Sequence, residues 1–203
     1  MERKWCMSIK KLVTDHLDKI IMGIRSVDEV QLQLFIDLIV KSIGSKTNVK
    51  TNVFVCGNGA SASIAQHMAC DYTKGSFNKE AMIGPRVISL NDNVAMMTAV
   101  SNDISYEEVF SYQLHKLANI GDVLIVISSS GNSPSVVKAL ETAEKMCLST
   151  VAFTGFNGGI CRSIADISIH VDVDEYEATE DCHQALMQIA AKAIRQRIKE
   201  DYV

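Results

Sequence analysis

Two segments of this sequence place a turn of small polar residues directly after an apolar run. They are VFVCGNGASAS at 53–63 and DVLIVISSSGNSPS at 122–135. A buried strand that opens through such a turn into a helix presents backbone N–H groups and hydroxyls to an anion. In the second segment, Ser133 is the predicted helix N-cap and Pro134 the first helical residue. Close packing and capping also explain each turn by itself, but two such turns in one chain favour binding of a phosphate ester. The hydroxyls assigned to that phosphate belong to Ser128, Ser129, Ser130 and Ser133.

The elements that position these turns follow from apolar runs that alternate with amphipathic patterns. Strands are predicted at 52–56, 86–90, 123–127, 150–154 and 167–171, and helices at 60–73, 94–100, 106–117, 134–146 and 179–199. Two more amphipathic helices precede the first strand, one between Ile9 and Ile21 and one between Leu34 and Ile43. This order indicates an α/β fold with a five-stranded parallel sheet sandwiched by helices. Because ligands bind beyond the carboxyl ends of parallel strands, we expect both turns to face one pocket.

The composition indicates one globular domain and argues against several other classes of protein. The 203 residues are 47% hydrophobic, which is enough to bury a full core. A formal net charge of −4, with no long run of Lys or Arg, argues against nucleic-acid binding. Six cysteines without a CxxC pair are typical of reduced thiols in the cytoplasm. The charged N-terminal segment lacks the apolar stretch of a signal peptide or membrane span, so we expect a cytoplasmic protein that binds no membrane.

Four motifs follow one another over most of the chain. They are CGNGASASIAQH, LNDNVAMMTAVSND followed by YEEVF, GDVLIVISSSGNSPSVVKA, and VAFTGFNGG. This series resembles the sugar isomerase (SIS) family, in particular its phosphoheptose isomerases. The resemblance implies a single SIS domain over 1–203, with an N-terminal helical segment at 1–48 and an αβα core and C-terminal helix at 49–203. It also implies a flavodoxin-like sheet, N-terminal helices used in oligomerisation, and a homotetramer with active sites at subunit interfaces.

The reaction that the resemblance implies is a ketose–aldose isomerisation of a phosphosugar, from sedoheptulose 7-phosphate to D-glycero-heptose 7-phosphate. Residue by residue, it assigns substrate contacts to both turns, to the end of the segment after the second strand, and to the last helix. The assigned residues are Asn58, Gly59, Ala60, Ser61, Asn102, Asp103, Ser128, Ser129, Ser130, Ser133 and Glu180. The four serines are those assigned to a phosphate by the chemistry of the second turn.

Isomerisation needs a group that moves a proton between neighbouring carbons, and a carboxylate or an imidazole suits that role. Phosphoheptose isomerases pair a glutamate after the first turn with a histidine on the last helix, whereas this chain has Asp71 and Gln188 there. Asp71 keeps a carboxylate, drawn back by roughly 1.5 Å. A carboxamide such as that of Gln188 has no proton to exchange near neutral pH. His183 is the nearest other candidate on that helix, and packing at an interface is its alternative interpretation. The candidate catalytic residues are Asp71, Gln188 and His183.

A divalent metal such as zinc is a further expectation from the resemblance, although the reaction is expected to require no cofactor. His67 and Asp71 are four residues apart on one predicted helix, so their side chains share a face. In family members that bind zinc, a glutamine ligand stands at the position of Glu180 and a histidine at that of Gln188. The candidate ligands are therefore His67, Asp71 and Glu180, and a hydrogen-bonded polar cluster is the alternative.

Two other functions remain open. The departures at Asp71 and Gln188 also fit a phosphosugar-binding or regulatory protein similar to the family's replication-initiator-binding members, in which the AQH of 65–67 also occurs. An isomerase of another phosphosugar, such as a hexulose or arabinose phosphate, is the third interpretation. The CGNGASAS turn favours the heptose branch over it.

Overall fold

A parallel sheet of five strands organises the described residues, 8–43, 51–80 and 82–201 of a computed structural model. The strands are β1 Asn52–Gly57, β2 Arg86–Ser89, β3 Val123–Ser128, β4 Ser149–Thr154 and β5 Ile167–His170. Each begins and ends within one residue of its predicted bounds. Their order across the sheet, β2-β1-β3-β4-β5, is that of flavodoxin-like folds. The predicted α/β class is therefore confirmed.

Helices cover both faces of the sheet. They are α1 Ile9–Arg25, α2 Glu29–Ser42, α3 Ala60–Cys70, α4 Val94–Asp103, α5 Ser111–Leu117, α6 Pro134–Lys145, α7 Gly159–Ile164 and α8 Tyr176–Asp201. A π-helical turn, Asp71–Gly75, continues α3, and a 3₁₀ turn, Tyr106–Glu108, precedes α5. The helices predicted at 60–73 and 106–117 are thus each divided into two segments. The predicted set has no counterpart of α7, and α8 begins three residues before the predicted start at 179.

The core lies on both sides of the sheet because successive side chains of each strand point to opposite faces. Val53 and Val55 of β1 pack in a cluster with α2, α3 and α8. Phe54 and Cys56 of the same strand pack in a second cluster with helices α4 to α7. All four side chains are fully buried, which explains why the strands appear in the sequence as continuous apolar runs.

The π-helical turn determines where Asp71 lies, because it changes the path of the chain directly after α3. The Tyr72 hydroxyl in this turn donates a hydrogen bond to the carbonyl of Met187 on α8, at 3.0 Å. The Thr73 hydroxyl bonds to the carbonyl of Val87 on β2, at 3.2 Å. These two bonds hold the turn between α8 and the sheet. Such π-helical segments occur frequently at functional sites.

The first helix packs along the last one and keeps an apolar side exposed. His16 Nε2 lies 2.8 Å from Asp181 Oδ2, and Lys19 forms an ion pair with Glu175. On the outward side, the exposed apolar residues include Leu12, Val13, Leu17 and Ile21. None of the helices in the described residues is long and apolar enough to cross a membrane.

Candidate functional site

The first turn, at 57–60, is braced by Asn91, which follows β2. Asn91 Oδ1 accepts a hydrogen bond from the Gly57 N–H at 3.2 Å, and Asn91 Nδ2 donates to the Gly57 carbonyl at 2.8 Å. A Cβ on Gly57 would lie 2.8 Å from both the Ile127 carbonyl oxygen and atoms of Ser61, so only glycine fits there. Gly59 has a φ of +56°, which glycine adopts without steric strain. The path from β1 into α3 is therefore fixed.

Asn58, between the two glycines of this turn, is oriented by two hydrogen bonds. Its Nδ2 donates to the Ser135 hydroxyl on α6 at 2.9 Å, and its Oδ1 accepts from the Tyr106 hydroxyl at 2.8 Å. The side chain thereby connects the start of α6 with the 3₁₀ turn. The Asn58 side chain is therefore already oriented before any ligand binds.

The second turn, at 128–133, rests on the start of α7. The Gly131 N–H donates to the Ser128 carbonyl at 3.0 Å, and the Cys161 N–H donates to the Gly131 carbonyl at 2.9 Å. Gly131 has a φ of +65°, and a Cβ there would lie 1.9 Å from the Gly158 carbonyl oxygen. No other residue type fits this close contact between two backbones. Ser133 is the N-cap of α6 with Pro134 at its start, as predicted, but its hydroxyl makes no capping hydrogen bond.

The two turns meet in a cavity of about 130 Å³, called here the serine pocket. Its lining residues are Asn58, Ser61, Ile127, Ser128, Ser129, Ser130, Ser133, Tyr176 and Glu180. Ser129 is 5% exposed, and its hydroxyl has no hydrogen-bond partner among the described residues. A buried hydroxyl without a partner is unfavourable unless a ligand supplies one. Because α3 and α6 both begin at this pocket, their N-terminal N–H groups and dipoles favour an anion there.

Glu180 contributes a carboxyl group to the serine pocket from α8. Burial raises its pKa above the ordinary value, and the nearby Glu177 and Asp181 raise it further. A carboxyl group that is more easily protonated repels a bound anion less. The structure thus places Glu180 with the predicted substrate-binding residues of both turns, and the substrate roles themselves stay predictions.

Asn102 and Asp103 lie outside the serine pocket, in the last turn of α4. Asn102 Nδ2 donates to Asp103 Oδ1 at 2.8 Å, and both side chains are exposed. Asn102 lines a neighbouring cavity of about 600 Å³ together with Tyr106. Since Tyr106 also bonds to Asn58, this tyrosine connects the neighbouring cavity to the serine pocket.

Four polar side chains meet between α3 and α8, and we call them the α3–α8 cluster: His67, Asp71, Gln184 and Gln188. Gln188 Nε2 donates to Asp71 Oδ2 at 2.6 Å and lies 3.2 Å from His67 Nε2. Gln184 Nε2 lies 2.9 Å from His67 Nδ1. His67 Nε2 lies 3.1 Å from Asp71 Oδ2. Asp71 and Gln188, which the sequence paired as candidate catalytic residues, are therefore in direct contact.

His183 does not belong to this cluster, and its catalytic role stays a prediction. Its side chain is fully buried, and its ring packs edge-on against Phe153 at 5.9 Å between centroids. Neither ring nitrogen has a hydrogen-bond partner among the described residues. Burial lowers its pKa to about 4. In this chain the imidazole packs in the core.

The candidate metal ligands only partly converge. His67 and Asp71 share the α3–α8 cluster, whereas Glu180 lines the serine pocket. In the part of the chain that the structure describes, no three His, Cys, Asp or Glu side chains are arranged to hold a metal ion. The side chain that joins His67 and Asp71 is Gln188, which presents its amide nitrogen to both. These residues therefore do not fit a zinc site, and the observed arrangement is the hydrogen-bonded polar cluster.

Several residues of the site were not among the predicted ones. Tyr106 and Ser135 orient Asn58, Asn91 braces the first turn, and Gln184 contacts His67. Gln184 carried a usable signal, because it stands four residues after Glu180 and four before Gln188 on one helix face. The others act through contacts with distant segments, which spacing along the chain does not show.

The chain is similar to known proteins in sequence and in fold. The family whose sequence profile matches is the SIS domain family, over residues 14–155. A phosphoheptose isomerase of Helicobacter pylori (strain P12) is 33% identical over 186 residues, which are 92% of this chain and 93% of the relative. One from Chlorobaculum parvum is 38% identical over 146 residues, 70% of this chain and 68% of the relative.

Solved structures resemble the chain over most of its length. The phosphoheptose isomerase from Neisseria gonorrhoeae has a TM-score of 0.81 and 25% identity, covering 93% of this chain and 100% of that one. The phosphoheptose isomerase from Francisella tularensis has a TM-score of 0.82 and 27% identity, covering 93% and 96%.

The buried His183 predicts a pH-dependent loss of stability. Its pKa is about 4 in the folded chain, below the ordinary value of 6.5, so the unfolded chain takes up a proton first as the pH falls. The contribution of His183 to the free energy of unfolding is at its maximum above pH 6.5 and decreases as the pH falls to 4. The loss amounts to about 3 kcal/mol at the acid end, since each pH unit contributes about 1.4 kcal/mol.

Denaturant unfolding at several pH values between 4 and 7 measures this effect. In His183→Leu the free energy of unfolding should fall less steeply over that window than in the wild-type protein. His115→Gln is the matched control, because His115 is exposed on α5 and its removal should leave the slope unchanged. Equal slopes in the wild type and His183→Leu would contradict the prediction.

Proposed function

The chain belongs to the SIS domain family, and on that premise we propose that it is a phosphosugar isomerase that converts sedoheptulose 7-phosphate to D-glycero-heptose 7-phosphate. The observation that carries this proposal is the arrangement of two sites along α8. Glu180 lines the serine pocket, and Gln184 and Gln188 follow at intervals of four residues in the α3–α8 cluster. Eight residues of helix span about 12 Å. An extended sugar phosphate can therefore place its phosphate at one site and its reacting carbons at the other.

The serine pocket supplies the phosphate end of this proposal. The unpartnered Ser129 hydroxyl and the uncommitted hydroxyl of Ser133 donate to phosphate oxygens, and the starts of α3 and α6 stabilise the negative charge. Asn58 is held at the edge of the pocket by Ser135 and Tyr106, where it can bind a sugar hydroxyl.

Asp71 supplies the proton transfer. The reaction removes a proton from C1 of the ketose and returns one to C2, while a hydroxyl proton passes from O1 to O2. Asp71 Oδ2 is engaged by Gln188 and His67, whereas Oδ1 has no hydrogen-bond partner among the described residues. We assign Oδ1 as the base that takes the C1 proton and delivers it to C2.

A phosphosugar-binding protein without catalysis is the second candidate, and Gln188 is the residue that favours it. A carboxamide donates hydrogen bonds but exchanges no proton near neutral pH. The catalytic proposal does not require Gln188 to exchange one, because Asp71 performs both proton steps at carbon.

Incubation of the purified protein with sedoheptulose 7-phosphate tests the catalytic proposal. We expect aldose product, and in Asp71→Asn a kcat lower by about 10²- to 10⁴-fold, because general-base catalysis typically contributes that much. Lys145→Gln, at an exposed site at the end of α6, is the control that keeps full activity. Tight substrate binding without turnover, together with turnover in the double variant Asp71→Glu and Gln188→His, would instead support the binding protein.

Ser129→Ala tests the phosphate site separately. Loss of a hydrogen bond to a charged group weakens binding by roughly 1.5–3 kcal/mol, so KM should rise by about tenfold or more with little change in kcat. The melting temperature should not fall, because the hydroxyl has no partner in the free protein. Ser163→Ala is the control, since that hydroxyl bonds only to the Ile160 carbonyl within α7. An unchanged KM in Ser129→Ala would contradict the phosphate assignment.

We further propose a cytoplasmic homotetramer with active sites at subunit interfaces, in which the N-terminal helices join the subunits. The exposed apolar side of α1 supports this assembly, because Leu12, Val13 and Leu17 line a cavity of about 670 Å³. Exposed apolar patches of this kind mark protein interfaces. The free thiols of the five described cysteines favour the cytoplasm.

Leu17→Asp tests this assembly. A charge in the middle of a buried apolar interface is strongly unfavourable, so light scattering should show dissociation of the tetramer. Leu117→Asp is matched in chemistry and exposure, 50% against 52% for Leu17, but lies on α5 and should leave the assembly intact. A tetramer that persists in Leu17→Asp would contradict the role of α1.

A further inference from the structure

In the described residues, the Asp71 carboxylate is held by other side chains of the α3–α8 cluster. On the premise of the proposed function, we infer that Gln188 is the positioning residue of Asp71. The Gln188 amide donates a hydrogen bond to Asp71 Oδ2 and holds this oxygen in place, as a metal ion holds a carboxylate oxygen in a metal site. Asp71 Oδ1 then remains open to the substrate.

The directions of the hydrogen bonds follow from the chemistry of the four groups. A carboxylate only accepts, so the Gln188 group at 2.6 Å from Asp71 Oδ2 is the NH₂ and not the carbonyl. His67 Nε2 lies 3.1 Å from the same oxygen, a separation at which an N–H is attracted and a lone pair repelled. With the ring proton on Nε2, His67 Nδ1 accepts from the Gln184 amide at 2.9 Å. In this tautomer the N–H groups of Gln188 and His67 both point to Asp71 Oδ2, and His67 Nδ1 has Gln184 as its donor.

In the same arrangement, His67 Nε2 and Asp71 Oδ2 do not provide free ligand atoms for a metal ion. A divalent ion shared by His67 and Asp71 needs the lone pair of Nε2 and a free lone pair on Oδ2. Here the Gln188 amide already donates to Oδ2, and His67 Nε2 lies 3.1 Å from the same oxygen. Gln188 Nε2 lies 3.2 Å from one of these atoms and 2.6 Å from the other, at the place where the ion would bind. The amide and the metal are therefore alternatives at this position.

Kinetics of Gln188→Met test the positioning role, because methionine has a similar length and no N–H. We expect kcat for sedoheptulose 7-phosphate to fall by about 10- to 100-fold, the effect of losing a hydrogen bond to a charged group. KM should stay within about twofold, since the phosphate contacts are unchanged. Gln196→Met, at an exposed position two turns further along α8, is the matched control and should keep the wild-type kcat. A wild-type kcat in Gln188→Met, or an equal fall in Gln196→Met, would overturn the inference.

Metal binding without any turnover assay provides the second measurement. Zinc or a chelator should leave the melting temperature of the wild-type protein unchanged, and cobalt(II) should give no tetrahedral absorption spectrum. Gln188→His replaces the competing amide with an imidazole, so this variant should gain both the spectrum and a zinc-dependent rise in melting temperature. A tetrahedral cobalt spectrum, or a chelator-sensitive melting temperature, in the wild type would overturn the inference.

The two measurements separate this inference from the proposed function. If the wild type shows no turnover, the proposed function fails, while the metal measurement still decides whether the amide excludes the ion. If the wild type turns over but binds zinc at His67 and Asp71, the function stands and the role of Gln188 is overturned.

Discussion

The adjacency of β1 and β3 in the sheet is the constraint on which the rest of the site depends. Both strands end at the same edge, and the chain leaves each of them through a turn that must pass very close to another backbone. Gly57 lies against the Ile127 carbonyl, and Gly131 lies against Gly158. A side chain at either glycine would push the turns apart. Because glycine permits these contacts, two helix starts and a set of serine hydroxyls reach a cavity of only about 130 Å³.

The electrostatics of that cavity follow from the same geometry. None of the described residues that line the serine pocket is Lys or Arg, and Glu180 adds a carboxyl group. An anion in this pocket would therefore meet neutral donors in fixed directions, namely hydroxyls and the N-terminal dipoles of α3 and α6. Such donors bind through directed hydrogen bonds, with little of the non-specific attraction that a basic surface provides. This selectivity suits the phosphate site that we propose, where the phosphate lies at a defined distance from the reacting carbons.

The sheet and both turns could be predicted from the sequence because their signals are local. Each strand is a short run of buried apolar residues, and each turn combines glycine with small polar residues. The π-helical turn could not be predicted, since it depends on the bond from Tyr72 to Met187, 115 residues away. The short α7 begins at two glycines and has too few apolar positions to show a period. His183 has the residue type of a catalytic group, but only the packing around it shows that it is buried. The contacts of Asn58 with Tyr106 and Ser135 likewise join distant segments.

The residues at 71 and 188 have to be understood together. Compared with the glutamate and histidine of the phosphoheptose isomerases that the sequence resembles, Asp71 is shorter by one methylene and Gln188 has lost an exchangeable proton. Taken separately, each change weakens the case for catalysis. In the structure the two side chains meet at 2.6 Å, so the amide supplies a donor to the carboxylate and holds it near α8. The contact leaves Asp71 Oδ1 without a hydrogen-bond partner among the described residues. Proton transfer that depends on one carboxylate needs such an open oxygen, so the two changes together are compatible with catalysis.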